Sequence, residues 1–151
     1  VFSTLHTNDA AGAVTRLQDM GVEGYLISSS LLAIQAQRLV RRVCTECAEI
    51  HPLSLDEARV LDIDSAECAE IRRGKGCERC GQTGYRGRVG LYELLLMSDE
   101  IRHQIASGAD ANSIRDTAIK GGMRTLRQDA LEKLRAGLTT PEEVVRVTRA
   151  V

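Results

Sequence analysis

Val1-Phe2-Ser3-Thr4-Leu5-His6-Thr7-Asn8-Asp9 is the stretch that decides the fold class, because a β pattern passes into a polar loop there. Residues 1–5 have the composition of a buried β-strand. Asn8 or Asp9 suits the N-cap of a helix, which is predicted to end at Gly21. A strand followed by a loop and a helix is typical of α/β proteins. Because the chain opens inside a strand pattern, we expect it to be a fragment of a longer protein.

The sequence after this stretch contains further helix and strand signals. A second helix is predicted over 25–35, and residues 39–43 fit either its continuation or a short strand. Residues 89–97 have a strand-like composition, and every later signal is helical. The later helix boundaries are marked by an N-cap, glycine stops and a proline within a T-x-x-E capping box: Ser98, Gly108, Gly121-Gly122 before a helix over 123–136, and Thr140-Pro141-Glu142-Glu143.

Residues 44–87 differ from their surroundings and are predicted to form an insert. Glycine and charged residues are frequent there, and cysteines mark both ends. One short helix is predicted after Ser54, which fits an S-x-x-E capping box with Glu57. The predicted organisation is therefore a core part over 1–43, the insert, and a return strand with a helical C-terminal subdomain over 88–151.

Two C-x-x-C pairs, Cys44-Thr-Glu-Cys47 and Cys77-Glu-Arg-Cys80, indicate a metal site. Each pair places two thiolates on one side of a tight turn, and two such turns complete a tetrahedral four-sulfur site. A closed site of this kind has no open coordination position, so the predicted Zn²⁺ is structural and supplies folding energy that a polar insert lacks. The predicted ligands are Cys44, Cys47, Cys77 and Cys80.

Two disulfides, two redox-active dithiols and coincidence are the other interpretations of these cysteines. Disulfides are disfavoured because the sequence shows no secretory segment, and a redox motif is expected at a helix start, where neither pair clearly lies. Cys68 is predicted to be a small hydrophobic residue and not a nucleophile or fifth ligand. Basic residues near the pairs are expected to offset the thiolate charge: Arg41, Arg42, Arg72, Arg73, Lys75, Arg79, Arg86 and Arg88.

His6 is the other candidate functional residue. Residues 4–8 place hydroxyls, an imidazole and an amide at the end of a predicted strand, where open α/β sheets bind ligands. A histidine in a loop is otherwise a solvated or capping residue. His51 is expected at the surface of the insert, and His103 receives no role.

The charge and composition of the chain exclude several function classes. Its 20 Lys and Arg against 21 Asp and Glu give a net charge of -1, which supplies no global field for nucleic acid or an anionic membrane. Aromatic residues make up 3% of the chain, too few for base stacking on single strands. No apolar stretch approaches the roughly 20 residues of a spanning helix. Nucleic acid is therefore not an expected partner.

The octet Ser3-Thr4-Leu5-His6-Thr7-Asn8-Asp9-Ala10 resembles the histidine box of the hexameric ATPases that drive type II secretion and type IV pilus assembly. The resemblance continues through Ala36-Gln37-Arg38-Leu39, the two cysteine pairs and Gly87-Arg88-Val89-Gly90-Leu91-Tyr92-Glu93-Leu94. The related retraction ATPases have a similar box but lack the cysteine insert. The chain is therefore similar, over essentially its whole length, to the C-terminal portion of the assembly and secretion branch.

This resemblance implies an α/β fold that is the C-terminal piece of a RecA-like ATPase core with a zinc-binding insert and a helical C-terminal subdomain. In that family ATP and Mg²⁺ bind between subunits of a homo-hexamer. The position of His6 matches the catalytic histidine that approaches the terminal phosphate, and Arg16 and Arg88 match arginines implicated in nucleotide or interface contacts. The resemblance also implies a cytoplasmic protein that is peripheral to the inner membrane and reaches it only through platform proteins of the machine.

Two motifs of this family are absent from the sequence, the phosphate loop G-x-x-x-x-G-K-[ST] and an acidic Walker B strand. We expect them upstream of Val1, and we expect the isolated chain to be inactive. The alternative hypothesis is a non-enzymatic zinc-ribbon module that binds protein or nucleic acid, which explains the cysteines but not the octet. A thiol oxidoreductase is the third hypothesis.

Overall fold

The computed structural model describes residues 1–64 and 70–148, and it confirms the predicted α/β class. The helices are α1 Ala10–Asp19, α2 Gly24–Ser30, α3 Leu55–Leu61, α4 Asp99–Ala106, α5 Ala111–Lys120, α6 Leu126–Arg135 and α7 Pro141–Thr148. The strands are β1 Ala33–Val43, β2 Ala48–Pro52, β3 Glu70–Gly74 and β4 Tyr85–Leu96. Cys68, for which the sequence predicts a hydrophobic role, lies outside the described residues.

The strands pair as β1 with β4 and as β2 with β3. The second pair is antiparallel, with Ala48 opposite Gly74 and Pro52 opposite Glu70. Contacts divide the chain into two compact units. The first unit contains Val1–Gln37 and Tyr92–Leu126, and the second contains Arg38–Leu91 and Arg127–Val151.

The core of the first unit lies where α1, α2, α4 and α5 pack around β4. Its buried side chains include Ile27, Leu95, Ile105 and Ile114. Gly24, at the start of α2, allows a close approach to α4, since a Cβ there would lie 2.5 Å from the carbonyl oxygen of Ile105. An alanine at this position would force the two helices apart.

A buried carboxylate joins three elements of the second unit. Glu143 of α7 accepts hydrogen bonds from the backbone N–H of Arg41 at 2.7 Å and from its Nε at 3.0 Å. The Arg146 guanidinium donates to the same carboxylate at 2.7 Å. Arg41 also lies 4.1 Å above the ring of Tyr85, whose hydroxyl is 2.9 Å from that of Thr140. This network holds β1, β4 and the start of α7 together.

The predicted helix caps are confirmed where their geometry is described. Asp9 is the N-cap of α1 and accepts from the backbone N–H of Gly12. Ser54 and Glu57 form the complete capping box at the start of α3. Ser98 caps α4, and α7 begins at Pro141 as predicted. Within residues 1–64 and 70–148, no helix is both long and apolar enough to cross a bilayer.

The predicted strand over 1–5 is wrong. Val1 and Phe2 are fully exposed, and these residues have no strand structure. A strand is stabilised by hydrogen bonds to a neighbouring strand, and in the described part of the chain none pairs with this segment. The apolar composition alone does not supply that partner.

The predicted helix over 25–35 is correct only in its first part. Its α-helix ends at Ser30, and Leu31 is extended with φ -78° and ψ 138°. Pairing with β4 places 33–43 in a strand, so residues 39–43 are strand and not helix. Two further boundaries differ: the strand predicted over 89–97 starts at Tyr85, and the helix predicted over 123–136 starts at Leu126. The polar strands β2 and β3 are additional elements that the sequence patterns do not predict.

Candidate functional site

The four cysteines of the C-x-x-C pairs converge in the second unit. Their sulfur atoms all lie within 4.8 Å of one another. The Sγ of Cys44 is 3.9 Å from that of Cys77, and Cys47 is 3.9 Å from Cys80. The Sγ atoms of Cys77 and Cys80 are 3.7 Å apart. The structure therefore brings together all four predicted metal ligands.

These separations fit a tetrahedral metal better than they fit disulfides. A Zn–S bond of about 2.3 Å places the corners of a tetrahedron about 3.8 Å apart. A disulfide requires about 2.05 Å between the two sulfur atoms. The four cysteines are free thiols, so the disulfide alternative is not what the structure shows.

The second cysteine pair is shaped by a tight turn whose backbone N–H groups face sulfur. A 3₁₀ turn over Glu78–Cys80 ends at Gly81, which has a left-handed conformation with φ 60°. The Sγ of Cys80 accepts from the N–H of Cys77 at 3.2 Å and from that of Gly84 at 3.3 Å. Such donors stabilise negative charge on sulfur.

Backbone contacts bring the two pairs together. The N–H of Cys44 donates to the carbonyl oxygen of Gly84 at 2.9 Å, and the N–H of Lys75 donates to that of Cys47 at 3.1 Å. Gly74 and Gly84 cross so closely that a Cβ on Gly74 would lie 2.1 Å from the Gly84 oxygen. Only glycine allows this crossing of two backbones.

Burial and hydrogen bonding act in opposite directions on the thiols. Burial, together with smaller contributions from contacts with the other thiols, raises the pKa of Cys47 to about 12. Burial also opposes ionisation of Cys80, but the N–H groups of Cys77 and Gly84 outweigh it and lower the pKa of Cys80 to about 6. A cation at the centre would stabilise all four thiolates, since metal binding releases their protons.

Several basic residues near the cysteines have carboxylate partners of their own. Arg41 pairs with Glu143, and Lys75 pairs with Glu49. Arg73 pairs with Glu57 and Glu142, residues of α3 and of α7. These three cations are therefore shared with nearby carboxylates. The pKa of Lys75 is raised mainly by Glu49 and also by the negative charge of Cys47, so the expectation that basic residues offset the thiolate charge stays a prediction.

His6 lies in an exposed loop that leads into α1 of the first unit. Arg16 is exposed on α1, and Arg88 is exposed on the part of β4 that belongs to the second unit. The loop after His6 is fixed at Asp9, whose carboxylate accepts from the N–H of Gly12 at 2.7 Å and is bound by the guanidinium of Arg115 on α5.

Glu93 is a buried charged residue that contacts the start of α1, to which the loop of His6 leads, and the sequence patterns do not predict this contact. It lies on β4 with 3% of its surface exposed, on the same strand face as the buried Leu91 and Leu95. One carboxylate oxygen accepts from the N–H of Ala10 at 2.9 Å, and the other accepts from that of Leu126 at 3.2 Å. A charged residue on the apolar face of an alternating strand is the signal that could have identified it.

Comparison with known proteins places the chain in a family. The sequence profile described as "Type II/IV secretion system protein" matches residues 1–146. The chain is 51% identical over 148 residues to the "Type IV pilus assembly ATPase PilB" of Thermus thermophilus, covering 96% of this chain and 16% of that protein. It is 46% identical over 149 residues to the "Type II secretion system ATPase E" of Vibrio cholerae, covering 99% of this chain and 29% of that protein.

A third relative, "Type II secretion system protein E" of Pectobacterium carotovorum, is 49% identical over 150 residues, which cover 99% of this chain and 29% of that protein. The chain thus spans less than a third of the length of these relatives. The profile match and the identities agree along nearly the whole sequence. The chain belongs to the family of type II/IV secretion system proteins.

Proposed function

We propose that the chain is the C-terminal part of a hexameric ATPase that powers type II protein secretion or type IV pilus assembly. The observation that carries this proposal is the 46–51% identity to relatives named as ATPases of these two machines, along almost the whole chain. One of these relatives is named for pilus assembly and the other for secretion, and their identities to this chain are similar, so the proposal covers both machines. The zinc-ribbon alternative is not favoured, because it leaves the identity outside the cysteine insert unexplained.

In this proposal residues 1–43 complete a RecA-like core, 44–87 form a zinc-binding insert, and 88–151 form the return strand and helical subdomain. His6 acts on the terminal phosphate of ATP, where a donor that meets developing charge lowers the barrier for transfer. Arg16 and Arg88 contribute cationic contacts to nucleotide or to a neighbouring subunit. The phosphate loop and the Mg²⁺ ligands come from the remainder of the full-length protein.

The four cysteines hold a structural Zn²⁺ in this proposal. Supporting it are the sulfur separations of 3.7–3.9 Å, the N–H groups that face Cys80, and the closed set of four soft ligands. When bound, the ion links the end of β1 to the turn over Glu78–Cys80 and stabilises the fold. The protein acts in the cytoplasm as a homo-hexamer and reaches the inner membrane through platform proteins.

His6→Ala in the full-length ATPase tests the proposed role. We expect kcat to fall about 100-fold, the scale of losing one donor to a transition state, with little change in ATP affinity. His103→Ala, which removes an exposed histidine from α4, is the matched control and should retain full activity. Normal turnover in His6→Ala would contradict a catalytic role for this residue.

A further inference from the structure

The carboxylate of Glu93 joins the first residues of two helices. Ala10 is the first residue of α1 and Leu126 is the first residue of α6. Their N–H groups donate to different oxygens of the same buried carboxylate, at 2.9 and 3.2 Å. The first N–H groups of a helix have no partner within the helix, and the helix N-terminus favours negative charge. Glu93 therefore satisfies both helix starts at once.

The loop that carries His6 is fixed by contacts at its end, where α1 starts. Asp9 holds the same helix start from within the loop, by accepting from the N–H of Gly12 and by pairing with Arg115. The hydroxyl of Thr7 donates to the carbonyl oxygen of Asp9 at 3.1 Å. Residues 7–12 are thus attached to α5 through Arg115 and to β4 through Glu93, and His6 immediately precedes them.

We propose that Glu93 is a positioning residue that holds the loop so that His6 meets the terminal phosphate of ATP. This inference rests on the proposed function of His6. A glutamine at position 93 would keep the size of the side chain but has one acceptor oxygen and one NH₂ donor. In either orientation, one of the two backbone N–H groups would face a donor and stay unpaired. Glu93→Gln therefore loosens the helix starts while leaving the volume of the core unchanged.

The experiment measures kcat and KM for ATP in the full-length ATPase, with Glu93→Gln, His6→Ala and the double variant compared with wild type. We expect Glu93→Gln to lower kcat about tenfold with KM within about twofold, since displacement of a catalytic group affects mainly the rate. In the His6→Ala background, Glu93→Gln should lower kcat no further. Glu100→Gln, an exposed residue of α4, is the matched control and should behave as wild type.

Hydrogen exchange on the same full-length variants gives a readout that does not depend on activity. Glu93→Gln should speed exchange in peptides that cover 6–14 and the start of α6, and should leave α5 unchanged. Should Glu93→Gln fail to assemble, Ala10→Pro provides a second test: it removes the same N–H donor, and proline suits the first position of a helix. It should give the same kcat loss and the same dependence on His6.

The possible outcomes separate the two proposals. Normal kcat in Glu93→Gln, beside a reduced kcat in His6→Ala, would overturn the positioning role alone. An equal further loss of kcat on adding Glu93→Gln to His6→Ala would also overturn it, because Glu93 would then act independently of His6. Normal kcat in His6→Ala would reject the proposed function of His6, and the positioning role with it.

Discussion

Glu143 is a buried carboxylate of the second unit that binds two arginines. Its side chain is 1% exposed, while Arg41 and Arg146, which bind it, are about half exposed. Burial opposes ionisation, but hydrogen bonds from Arg146 and from the backbone and side chain of Arg41 outweigh it and lower the pKa of Glu143 to about 2. The ion pair is thus buried on one side only, so that the arginines keep part of their hydration.

Glu143→Gln should destabilise the protein by about 2 kcal/mol at pH 7, which is the scale of hydrogen bonds to a charged group. The ordinary carboxyl pKa of 4.5 is lowered in the folded state, so Glu143 stabilises the fold fully above pH 4.5. This contribution is lost as the pH falls from 4.5 toward 2. Urea unfolding at pH 7 and pH 3 should therefore show a smaller difference between wild type and Glu143→Gln at the lower pH.

Glu142→Gln is the matched control, since Glu142 is a half-exposed neighbour paired with Arg73. We expect a loss below about 1 kcal/mol, as for most exposed ion pairs. Equal effects of the two substitutions would show that burial of Glu143 contributes nothing to stability.

The T-x-x-E pattern predicts the start of α7 correctly. It could not predict Arg41 as a partner, because a contact 102 residues away in sequence leaves no local signal.

At the scale of elements, we expect the folded state of the second unit to depend on the cysteine cluster. Cys77→Ser removes one of four predicted ligands, so we expect it to lose the single Zn²⁺ per chain that we propose for the wild type. Because the N–H of Val43 donates to the carbonyl oxygen of Leu138, the loss should extend from the insert to α6 and α7. Elemental analysis and hydrogen exchange measure the two effects, and α1, α2, α4 and α5 should keep their protection.

Cys68→Ser is the matched control for this prediction, because the sequence predicts no ligand role for Cys68. It should retain one zinc per chain and the exchange pattern of wild type. Wild-type protein that contains no metal when freshly reduced, with an ordered insert, would contradict a structural zinc site.

Gly74→Ala tests the backbone crossing beside the cluster. Its Cβ would meet the Gly84 carbonyl at 2.1 Å. A shift of Gly74 would disturb the pairing of β2 with β3, and a shift of Gly84 would disturb the hydrogen bond that its carbonyl oxygen accepts from Cys44. We expect a loss of about 3 kcal/mol, at the upper end of overpacking costs, measured by urea unfolding. Gly121→Ala is the control, since its Cβ would lie 3.4 Å from its nearest neighbours. Equal stability of the two variants would refute the close crossing.

Elements with local signals were predicted well, and elements made by distant pairing were not. The caps Asp9, Ser54 and Ser98 act within three residues, so their sequence context identifies them. Many positions of β2 and β3 are charged or polar, and these segments form strands because they pair with each other. The strand predicted over 1–5 failed for the same reason, since composition does not provide a partner.

At the scale of the whole molecule, the chain alone should neither bind ATP tightly nor hydrolyse it. Tight binding by motors of this type requires a glycine-rich loop of N–H groups, a lysine and a Mg²⁺ site, and the sequence has no such loop. Contacts from exposed groups such as His6 and Arg16 are weak in water and screened by salt. Calorimetry at micromolar ATP and a phosphate-release assay should both give background signals, and the full-length protein should restore both.

Saturable ATP hydrolysis by the purified chain, abolished by His6→Ala, would contradict this prediction. It would mean that the site is assembled differently from that of the proposed motor.

The candidate metal ligands could be predicted because the C-x-x-C spacing by itself places two sulfur atoms on one side of a tight turn. The strand pattern could have marked Glu93 as a buried charge, but its two partners could not be predicted, because they are backbone N–H groups that lie 83 and 33 residues away in sequence.

The path of the chain between the two units has a consequence for folding during synthesis. Each unit is made of two separated segments, so the first lacks Tyr92–Leu126 until the ribosome has passed the second unit's first segment. The second unit is likewise incomplete until Arg127–Val151 has been translated. All four clustered cysteines have been translated by residue 80, long before α7 appears. If the proposed Zn²⁺ binds at that stage, it crosslinks the insert while the remaining helices are still being translated.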